Sequence, residues 1–247
     1  MLTLLSPAKA MDFETPVTVP AFTTPALMDE TGRLIKTTRA LSQTKLRAMM
    51  GISPNLAKLN VDRYSALGTD LNPSNAKQAV LAYNGQVYMG LDAKTLSLDD
   101  LAFAQDHVGI LSGMYGYLRP LDLIQPHRLE MGTKLKTRRG TSLYEFWGDR
   151  ITRQVQAHLG EDRTLVNLAS AEYFKSVQTK QLDARVVTPV FYDTKEGKSR
   201  VVFLFAKIAR GLMTRWIIEN RITDVERLRE FAVAGYRYRP DMSLEDR

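Results

Sequence analysis

The chain has 247 residues, of which 44% are hydrophobic and 25% are charged, values typical of a globular protein that needs no disulfide or metal to hold its core. It contains no cysteine, which excludes a thiol peroxidase, a cysteine nucleophile, a cysteine-ligated iron–sulfur cluster and a thiolate zinc site. The net charge of +7 favours a polyanionic partner, and no apolar run approaches the roughly 18 residues of a membrane span, so we expect a cytoplasmic protein that binds no membrane.

Short apolar runs alternate with helical patterns, beginning at residues 2–6, which we expect to form a strand rather than a secretory signal. In chain order, the predicted elements are a strand at 2–6, helices at 27–41, at 42–51 and from 53, a strand at 79–83, a helix from 97, strands at 108–112, 164–168, 186–192 and 201–205, a helix at 206–220 and a last helix from 223. This alternation predicts a mixed α/β fold with a central sheet of short strands and surrounding helices. No repeat or linker divides the chain, so residues 1–247 are expected to form a single domain.

Two stretches of the chain carry cations but no acid. The cations of residues 31–61 are Arg33, Lys36, Arg39, Lys45, Arg47 and Lys58. Those of residues 131–144 are Lys134, Lys136, Arg138 and Arg139. Protein surfaces normally intersperse the two signs, so both stretches favour a polyanion such as nucleic acid. The alternative is a basic surface without a specific ligand.

A tight turn between two helices is predicted around Gly51. This glycine permits the left-handed conformation that ends the first helix, and Ile52 can pack into the groove between the two helices. Ser53 caps the second helix, followed by a proline, and the free backbone N–H groups there are suited to an anion. Lys58 lies on the second helix. The segment at about 43–66 resembles the helix-hairpin-helix of DNA-binding proteins, and its basic surroundings favour contact with DNA phosphates; the alternative is an ordinary helical corner.

The helix predicted at 206–220 is amphipathic. Trp216 and Ile217 belong to its apolar face, while Lys207 and Arg210 lie three residues apart on the other side. Such a pattern is typical of a helix with one buried and one solvated face. The two cations are also candidates for the DNA-binding surface.

Several predicted strands run directly into small polar clusters. The polar side chains that follow them are Lys9, Asn84, Ser112, Glu172, Tyr173 and Lys175. Ligands of α/β sheets bind beyond the carboxyl ends of the strands, so these side chains should converge if the strands are parallel neighbours. Lys9 or Lys175 would then act as a nucleophile or phosphate clamp, in one shared pocket, and Tyr173 or Glu172 as an acid or base. The alternative is a set of helix caps and turns.

Common catalytic and metal-binding motifs are absent from the sequence. It has no Gly-x-x-x-x-Gly-Lys-Ser/Thr, no Gly-x-Gly-x-x-Gly and no Gly-x-Ser-x-Gly. His107, His127 and His158 lack the spacing of metal ligands. The polar segment 119–130 predicts either a phosphate-steering loop or a rigid surface loop. We expect no cofactor and no metal site.

Six distinctive segments follow one another along nearly the whole chain. They are LLSPAK at 4–9, NGQVY at 84–88, LSGMYGYLRPLDL at 111–123, YEFWG at 144–148, NLASAEYFK at 167–175 and KIARGLM at 207–213. This set resembles the peroxide-stress protein YaaA family. The resemblance implies a cytoplasmic bacterial protein that helps cells survive hydrogen peroxide by restraining free intracellular iron. It also implies an unusual mixed α/β fold with a basic cleft, and DNA binding through the helix-hairpin-helix, but no reaction.

We predict sequence-independent binding to duplex or distorted DNA, mainly through its backbone. The residues expected to contact DNA are Arg47, Gly51, Ile52, Ser53, Lys58, Lys134, Lys136, Arg138, Arg139, Lys207 and Arg210. DNA-binding hairpins of this kind read Gly-apolar-Gly, and Ser53 stands here at the second glycine position, which leaves the contact geometry open.

Two alternatives belong to other functional classes. One is an enzyme acting on nucleic acid or a nucleotide, or binding another small molecule, at the site of Lys9, Glu172, Tyr173 and Lys175. The other is an iron-handling protein, whose oxygen ligands would have to come from carboxylates that show no clustering in the sequence. Because the chain has no thiol, we expect protection against peroxide not to be catalytic peroxide removal.

Overall fold

The computed structural model describes residues 1–246. Its strands are β1 (Leu2–Leu5), β2 (Lys77–Gln78), β3 (Val108–Ser112), β4 (Gly116–Leu118), β5 (Leu123–Ile124), β6 (Thr164–Asn167), β7 (Arg185–Val187), β8 (Asp193–Lys195) and β9 (Lys198–Arg200). Its α-helices are α1 (Met28–Arg39), α2 (Gln43–Met50), α3 (Pro54–Ala66), α4 (Ala79–Ala82), α5 (Gln86–Leu91), α6 (Leu98–His107), α7 (Leu143–Trp147), α8 (Arg150–His158), α9 (Ala171–Phe174) and α10 (Phe203–Glu219). Short 3-10 helices complete the chain at Ala93–Thr95, Thr179–Gln181, Val225–Glu230 and Pro240–Met242.

A five-stranded mixed sheet forms the centre of the molecule, in the order β4-β3-β1-β6-β7. β1 pairs in parallel with both neighbours, since Thr3 lies opposite Val108 on one side and Val166 on the other. β4 alone runs antiparallel, through its pairing with β3. Every residue of β1, β3 and β6 is buried, which explains their continuous apolar sequences. The predicted mixed α/β single domain is confirmed, with helices surrounding this sheet.

The elements around the sheet are closely packed. Gly90 of α5 and Gly211 of α10 face each other where the two helices cross. A Cβ atom at Gly211 would lie 1.9 Å from the Val87 carbonyl oxygen, and one at Gly90 would lie 2.2 Å from that of Ile208. Only glycine allows this approach, which fixes α10 against α5. No helix within residues 1–246 is both long and apolar enough to span a membrane.

The helix starts were the most predictable features. Ser42 Oγ accepts a hydrogen bond from Lys45 N (3.3 Å) and Ser53 Oγ accepts one from Leu56 N (3.3 Å), as their positions before α2 and α3 predict. Ser97 and Asp100 form a capping box at the start of α6, where the sequence predicts a helix from 97.

The strand predicted at 79–83 is wrong. Residues Ala79–Ala82 form the helical turn α4, closed by a hydrogen bond from Tyr83 N to Ala79 O (3.0 Å). The backbone N–H groups of Ala79 and Val80 donate to carbonyls of the 120–122 turn. All four residues of α4 are buried, and a short apolar run that is buried on every side has no periodicity to separate strand from helix.

Two further strands were wrong or too long. The run predicted at 201–205 starts α10 instead, because Ala206 N donates to Val202 O (2.8 Å) and begins the helical ladder. The run predicted at 186–192 pairs with β6 only over β7. Pro189 has no N–H to donate, and Thr188 N bonds to Asp246 O near the end of the chain instead (2.9 Å). The last predicted helix is the 3-10 segment Val225–Glu230.

Candidate nucleic-acid interface

Helices α2 and α3 form a tight helical hairpin over the predicted 43–66 region. The hairpin tip comprises Gly51, Ile52 and Ser53, which join the two helices directly. Gly51 adopts the left-handed conformation (φ 61°), and its N–H donates to Arg47 O (2.9 Å), which ends α2. Gln43 Nε2 donates across the turn to Pro54 O (3.0 Å). The turn is therefore held at both helix ends.

The hairpin tip has one buried and two exposed residues. Ile52 is only 8% exposed and packs into the core, together with Leu46 and Ala57 of the flanking helices. Gly51 and Ser53 are exposed, and a Cβ atom at Gly51 would meet no atom within 4 Å. Another backbone can therefore approach the tip closely, while Ile52 anchors it from below.

Ser53 fits the position where such hairpins have glycine. Its φ of −64° and ψ of 158° are ordinary extended values that any residue adopts, so the turn does not need a second glycine. Its hydroxyl is turned into the helix as the α3 cap.

Cations surround the tip on both helices. Lys45 and Arg47 on α2 and Lys58 on α3 are exposed. The ion pairs formed within residues 1–246 include none of these three side chains. Their charges are compensated only by solvent and are available to an external anion.

The other predicted cations fall into two groups. Lys134, Lys136 and Arg138 are exposed along an extended segment in which Thr133 and Leu135 are buried. Lys207 is exposed on α10, while Arg210 is half-buried, and burial lowers the pKa of its guanidinium.

Arg139 differs from its neighbours because it turns inward. Its two terminal nitrogens donate to Glu30 Oε2 (2.6 Å) and Glu30 Oε1 (3.1 Å), and its guanidinium lies over the Phe146 ring at 5.1 Å. Its side chain is 25% exposed. This arginine therefore links α1 to the 131–141 segment, and its guanidinium is bonded to Glu30 rather than left without a partner.

The predicted convergence at the sheet end is seen for the strand ends themselves. β1, β3 and β6 are parallel neighbours, and Ser170 N beyond β6 donates to Ser6 Oγ beyond β1 (2.8 Å). Asn84 N donates to Ala10 O (2.9 Å), which places the 84–85 turn against the segment after β1. Ser112, in contrast, is fully buried, and its Oγ accepts from Tyr115 N (3.1 Å) as a turn cap.

A set of charged side chains meets at this edge, which we call the sheet-end cluster: Lys9, Arg128, Glu130 and Glu172. Lys9 Nζ lies 3.7 Å from Glu130 Oε1, and Arg128 Nη2 donates to the same oxygen (2.9 Å). Glu172 Oε1 accepts from Gly132 N (2.9 Å), only two residues along the chain. Segment 130–132 thus joins the ends of β1 and β6.

The remaining predicted site residues lie beside this cluster. Tyr173 is 8% exposed, and burial raises the pKa of its hydroxyl above the ordinary value, so it stays protonated at neutral pH. Lys175 Nζ lies 5.0 Å above the Tyr144 ring, and Tyr144 Oη donates to Glu172 O (2.8 Å). Lys175 also lines a groove of about 500 Å³ formed by 174–181, whose lining does not include Lys9. A pocket shared by Lys9 and Lys175 stays a prediction.

The sequence predicted the cations of the site but not the carboxylates that pair with them. Glu130 is the acid that borders the second acid-free stretch, and Arg128 precedes it in the segment predicted to be either a phosphate-steering loop or a rigid surface loop. Glu30 borders the first stretch in the same way and receives Arg139. An acid at the edge of a basic segment is a signal that could have indicated both contacts.

Comparison with known proteins places the chain among one set of relatives. A family model described as peroxide stress protein YaaA matches residues 1–242. A UPF0246 protein of Burkholderia lata is 54% identical over 242 residues, which cover 96% of this chain and 93% of the relative. A UPF0246 protein of Burkholderia mallei is 52% identical over 250 residues, covering 100% and 96% of the two chains.

Proposed function

The chain belongs to the peroxide stress protein YaaA family, and we propose that it acts by binding the DNA backbone through the hairpin of α2 and α3. One observation carries this proposal. The hairpin tip is open to close approach, and three exposed cations without ion-pair partners in residues 1–246 surround it. Backbone N–H groups at a helix start and lysine or arginine side chains are the groups that bind phosphate in DNA complexes.

The footprint extends from the hairpin to further cations. Lys134, Lys136 and Arg138 present three exposed charges on one extended segment, and Lys207 adds one on α10. Contacts from backbone N–H groups and from lysine side chains to phosphates position a protein on DNA but carry no sequence information. The proposed binding is therefore independent of DNA sequence and includes duplex and distorted DNA.

The proposed link to iron follows from the same contacts. DNA condenses cations along its phosphates, and a protein that neutralises phosphates releases them. Ferrous iron displaced in this way would react with peroxide away from the DNA. Within the described part of the chain, no group of three or more His, Asp or Glu side chains is placed to hold a metal ion, and the proposal uses no resident iron.

Salt dependence tests the DNA contact. The logarithm of the binding constant for a labelled duplex should fall linearly with the logarithm of salt concentration, by about 0.9 per phosphate contact. Lys58→Ala should reduce this slope by about one unit for every duplex sequence tested. Lys180→Ala, which removes an exposed charge from a 3-10 helix, is the matched control and should leave the slope unchanged. An affinity that does not respond to salt would contradict the proposal.

Strand cleavage tests the iron link. Plasmid DNA treated with ferrous iron and peroxide should be nicked more slowly in the presence of the protein, and Lys58→Ala should protect less well at equal protein concentration. Peroxide consumption without DNA should match that of a buffer containing only free methionine, because the chain has no cysteine. Catalytic removal of peroxide by metal-free protein would contradict this proposal.

A second candidate function rests on the sheet-end cluster. Lys9 and Glu172 lie far apart in the sequence, and both contact segment 130–132. Such convergence beyond parallel strands favours a site for a nucleotide or nucleic-acid substrate, with Lys9 as the phosphate clamp or nucleophile. Lys9→Ala decides between the two functions. Loss of peroxide survival in cells with DNA affinity reduced by only about 1–2 kcal/mol would favour the enzyme, whereas loss of both in proportion would favour simple binding.

A further inference from the structure

Three arginines surround a single carboxylate at the start of α1. Glu30 accepts the two bonds from Arg139 described above, and Arg150 Nε lies 3.4 Å from its Oε1. Arg33 Nη1, one turn along α1, is 3.3 Å from the same oxygen. We call these four residues the Glu30 cluster.

The Glu30 cluster is fixed by backbone contacts. Arg139 Nη1 also donates to Phe146 O (3.4 Å), and Arg150 Nη1 donates to Trp147 O (3.3 Å). The side chain of Glu30 is 16% exposed, those of Arg139 and Arg150 are 25% and 30% exposed, and that of Arg33 is 60% exposed. The Glu30 carboxylate is therefore less exposed than the three guanidinium groups around it, and each guanidinium has N–H donors that make no bond within the cluster.

The charges of the Glu30 cluster do not balance. Three guanidinium groups against one carboxylate leave two positive charges uncompensated. Bonding to Arg139 holds the pKa of Glu30 below its ordinary value, so the carboxylate is ionised at neutral pH. Asp149 is bonded to Arg153 (2.6 Å) and also lies within electrostatic range of Arg150, while Glu145 accepts from Thr141 N (2.6 Å). Neither acid forms an ion pair with an arginine of the cluster, so Glu30 is the only carboxylate paired with these arginines among the described residues.

We propose that the Glu30 cluster binds a phosphate monoester. Such a group carries about −1.5 to −2 charges at pH 7, which matches the excess of the cluster, whereas a backbone phosphodiester carries only one. Arginine forks bind phosphate oxygens in pairs, and Arg139 and Arg150 are held in place here by backbone carbonyls before the ligand arrives. The phosphate could come from the end of a DNA strand or from a free nucleotide, and binding of the free form does not depend on the hairpin.

Direct titration tests the site. Inorganic phosphate and AMP are titrated by calorimetry, and a duplex with a 5′-phosphate is compared with the same duplex bearing a 5′-hydroxyl. We expect measurable binding of the free phosphates and about tenfold tighter binding of the phosphorylated duplex, the effect of roughly one additional charge-assisted contact. Binding should weaken below about pH 6, where the phosphate loses its second charge.

Two arginine variants distinguish binding at the Glu30 cluster from a general effect of net charge. Arg150→Gln should remove the preference for the phosphorylated end and weaken AMP binding about tenfold. Arg153→Gln, on the same helix but paired with Asp149, is the matched control and should retain both. If Arg150→Gln proves unfolded by circular dichroism, Arg33→Gln removes the most exposed member of the cluster and tests the same contact.

The outcomes identify the source of the phosphate. Binding of AMP without discrimination between the two duplexes supports a free nucleotide, and discrimination between the duplexes supports a DNA end. Equal affinity for both duplexes, with no binding of inorganic phosphate or AMP, overturns the proposal. The titration with inorganic phosphate or AMP needs no duplex. It therefore tests the Glu30 cluster even if the hairpin does not bind DNA.

Discussion

The hairpin and the sheet-end cluster both carry cations, but they differ in what those cations contact. Around the hairpin tip, Lys45, Arg47 and Lys58 are exposed and take part in none of the ion pairs within residues 1–246. At the sheet end, Lys9 and Arg128 both contact Glu130. An external anion meets free charge at the hairpin and must compete with a carboxylate at the sheet end. The number of basic residues therefore says less about an interface than their existing partners do.

The largest expected effect comes from removing the free charges. A variant with Lys45→Ala, Arg47→Ala and Lys58→Ala should lose about 10²–10³-fold in duplex affinity at 0.1 M salt, since each phosphate contact contributes nearly tenfold there. A control variant that changes the exposed Lys180, Lys195 and Lys198 to alanine loses the same net charge elsewhere and should bind almost normally. Equal losses in the two variants would show that only net charge matters.

Lowering the pH should reduce the stability of the fold through His127, at the sheet end, without changing the DNA affinity expected of the hairpin. His127, beside the sheet-end cluster, is 5% exposed, and its Nδ1 is 2.8 Å from Gln125 O. Burial lowers the pKa of His127 to about 4, below the ordinary value of 6.5. Between these two pH values the unfolded chain binds a proton at His127 that the folded protein does not bind. The free energy of unfolding should therefore fall by about 3 kcal/mol between pH 6.5 and 4 from this residue alone.

Urea unfolding across this pH range checks the acid effect. In His127→Asn that part of the decrease should be missing, although carboxylates elsewhere still titrate. Duplex affinity measured between pH 7 and the onset of unfolding should not change in step with His127, because the proposed hairpin contacts come from lysine and arginine side chains and not from histidine. An unchanged pH profile in the variant would refute the assignment.

Breaking the sheet-end pairs should cost stability rather than DNA affinity. Glu130→Gln keeps the shape but leaves Arg128, which is 17% exposed, without its carboxylate. We expect a loss of about 1–2 kcal/mol in the free energy of unfolding and a duplex affinity equal to or slightly above that of the unchanged protein. Asp241→Asn is the control, because its pair with Arg239 is exposed, is screened by solvent and should contribute little to stability. A strong loss of DNA affinity in Glu130→Gln would place the sheet end in the interface.

The parts of this fold that were predictable depend on local chemistry. A serine before an apolar run, or a glycine after one, fixes a helix end through bonds within a few residues, and α2, α3 and α6 begin at serine caps as predicted. The parallel strands β1, β3 and β6 were recognisable because they are apolar on both faces. The buried turn at Ala79–Ala82 gave no such signal, since its backbone partners lie in the 120–122 turn.

The candidate site was predictable in its cations and not in their partners. Arg138 and Arg139 are neighbours in the sequence, yet one is exposed and the other is bonded to Glu30, more than a hundred residues away. Lys9 likewise meets Glu130, which lies more than a hundred residues along the chain. Such pairings depend on how the chain folds back on itself, so an acid that borders a basic stretch marks a candidate partner without showing which cation it meets.

The smallest expected effect concerns Ser53, where related hairpins have a glycine. Ser53→Gly removes the Oγ that accepts from Leu56 N at 3.3 Å, a loss of only a few tenths of a kcal/mol in the free energy of unfolding, because glycine is itself tolerated before a helix. Ser53→Ala removes the same bond but keeps a Cβ atom, and should cost about 1 kcal/mol. The two variants therefore separate the helix cap from the space that a side chain occupies at the tip.

Duplex affinity of the same two variants shows how closely DNA approaches the tip. The open side of the hairpin is at Gly51, where a Cβ would meet nothing within 4 Å, while the Ser53 hydroxyl is bonded into α3. A phosphate that contacts the tip over Gly51 does not need the Ser53 side chain to be absent. The duplex affinities of the unchanged protein, Ser53→Gly and Ser53→Ala should therefore agree within about twofold, a difference smaller than the contribution of one hydrogen bond. A tenfold gain in Ser53→Gly that Ser53→Ala does not share would instead show that the serine holds the DNA backbone away, and would move the contact from Gly51 to the start of α3.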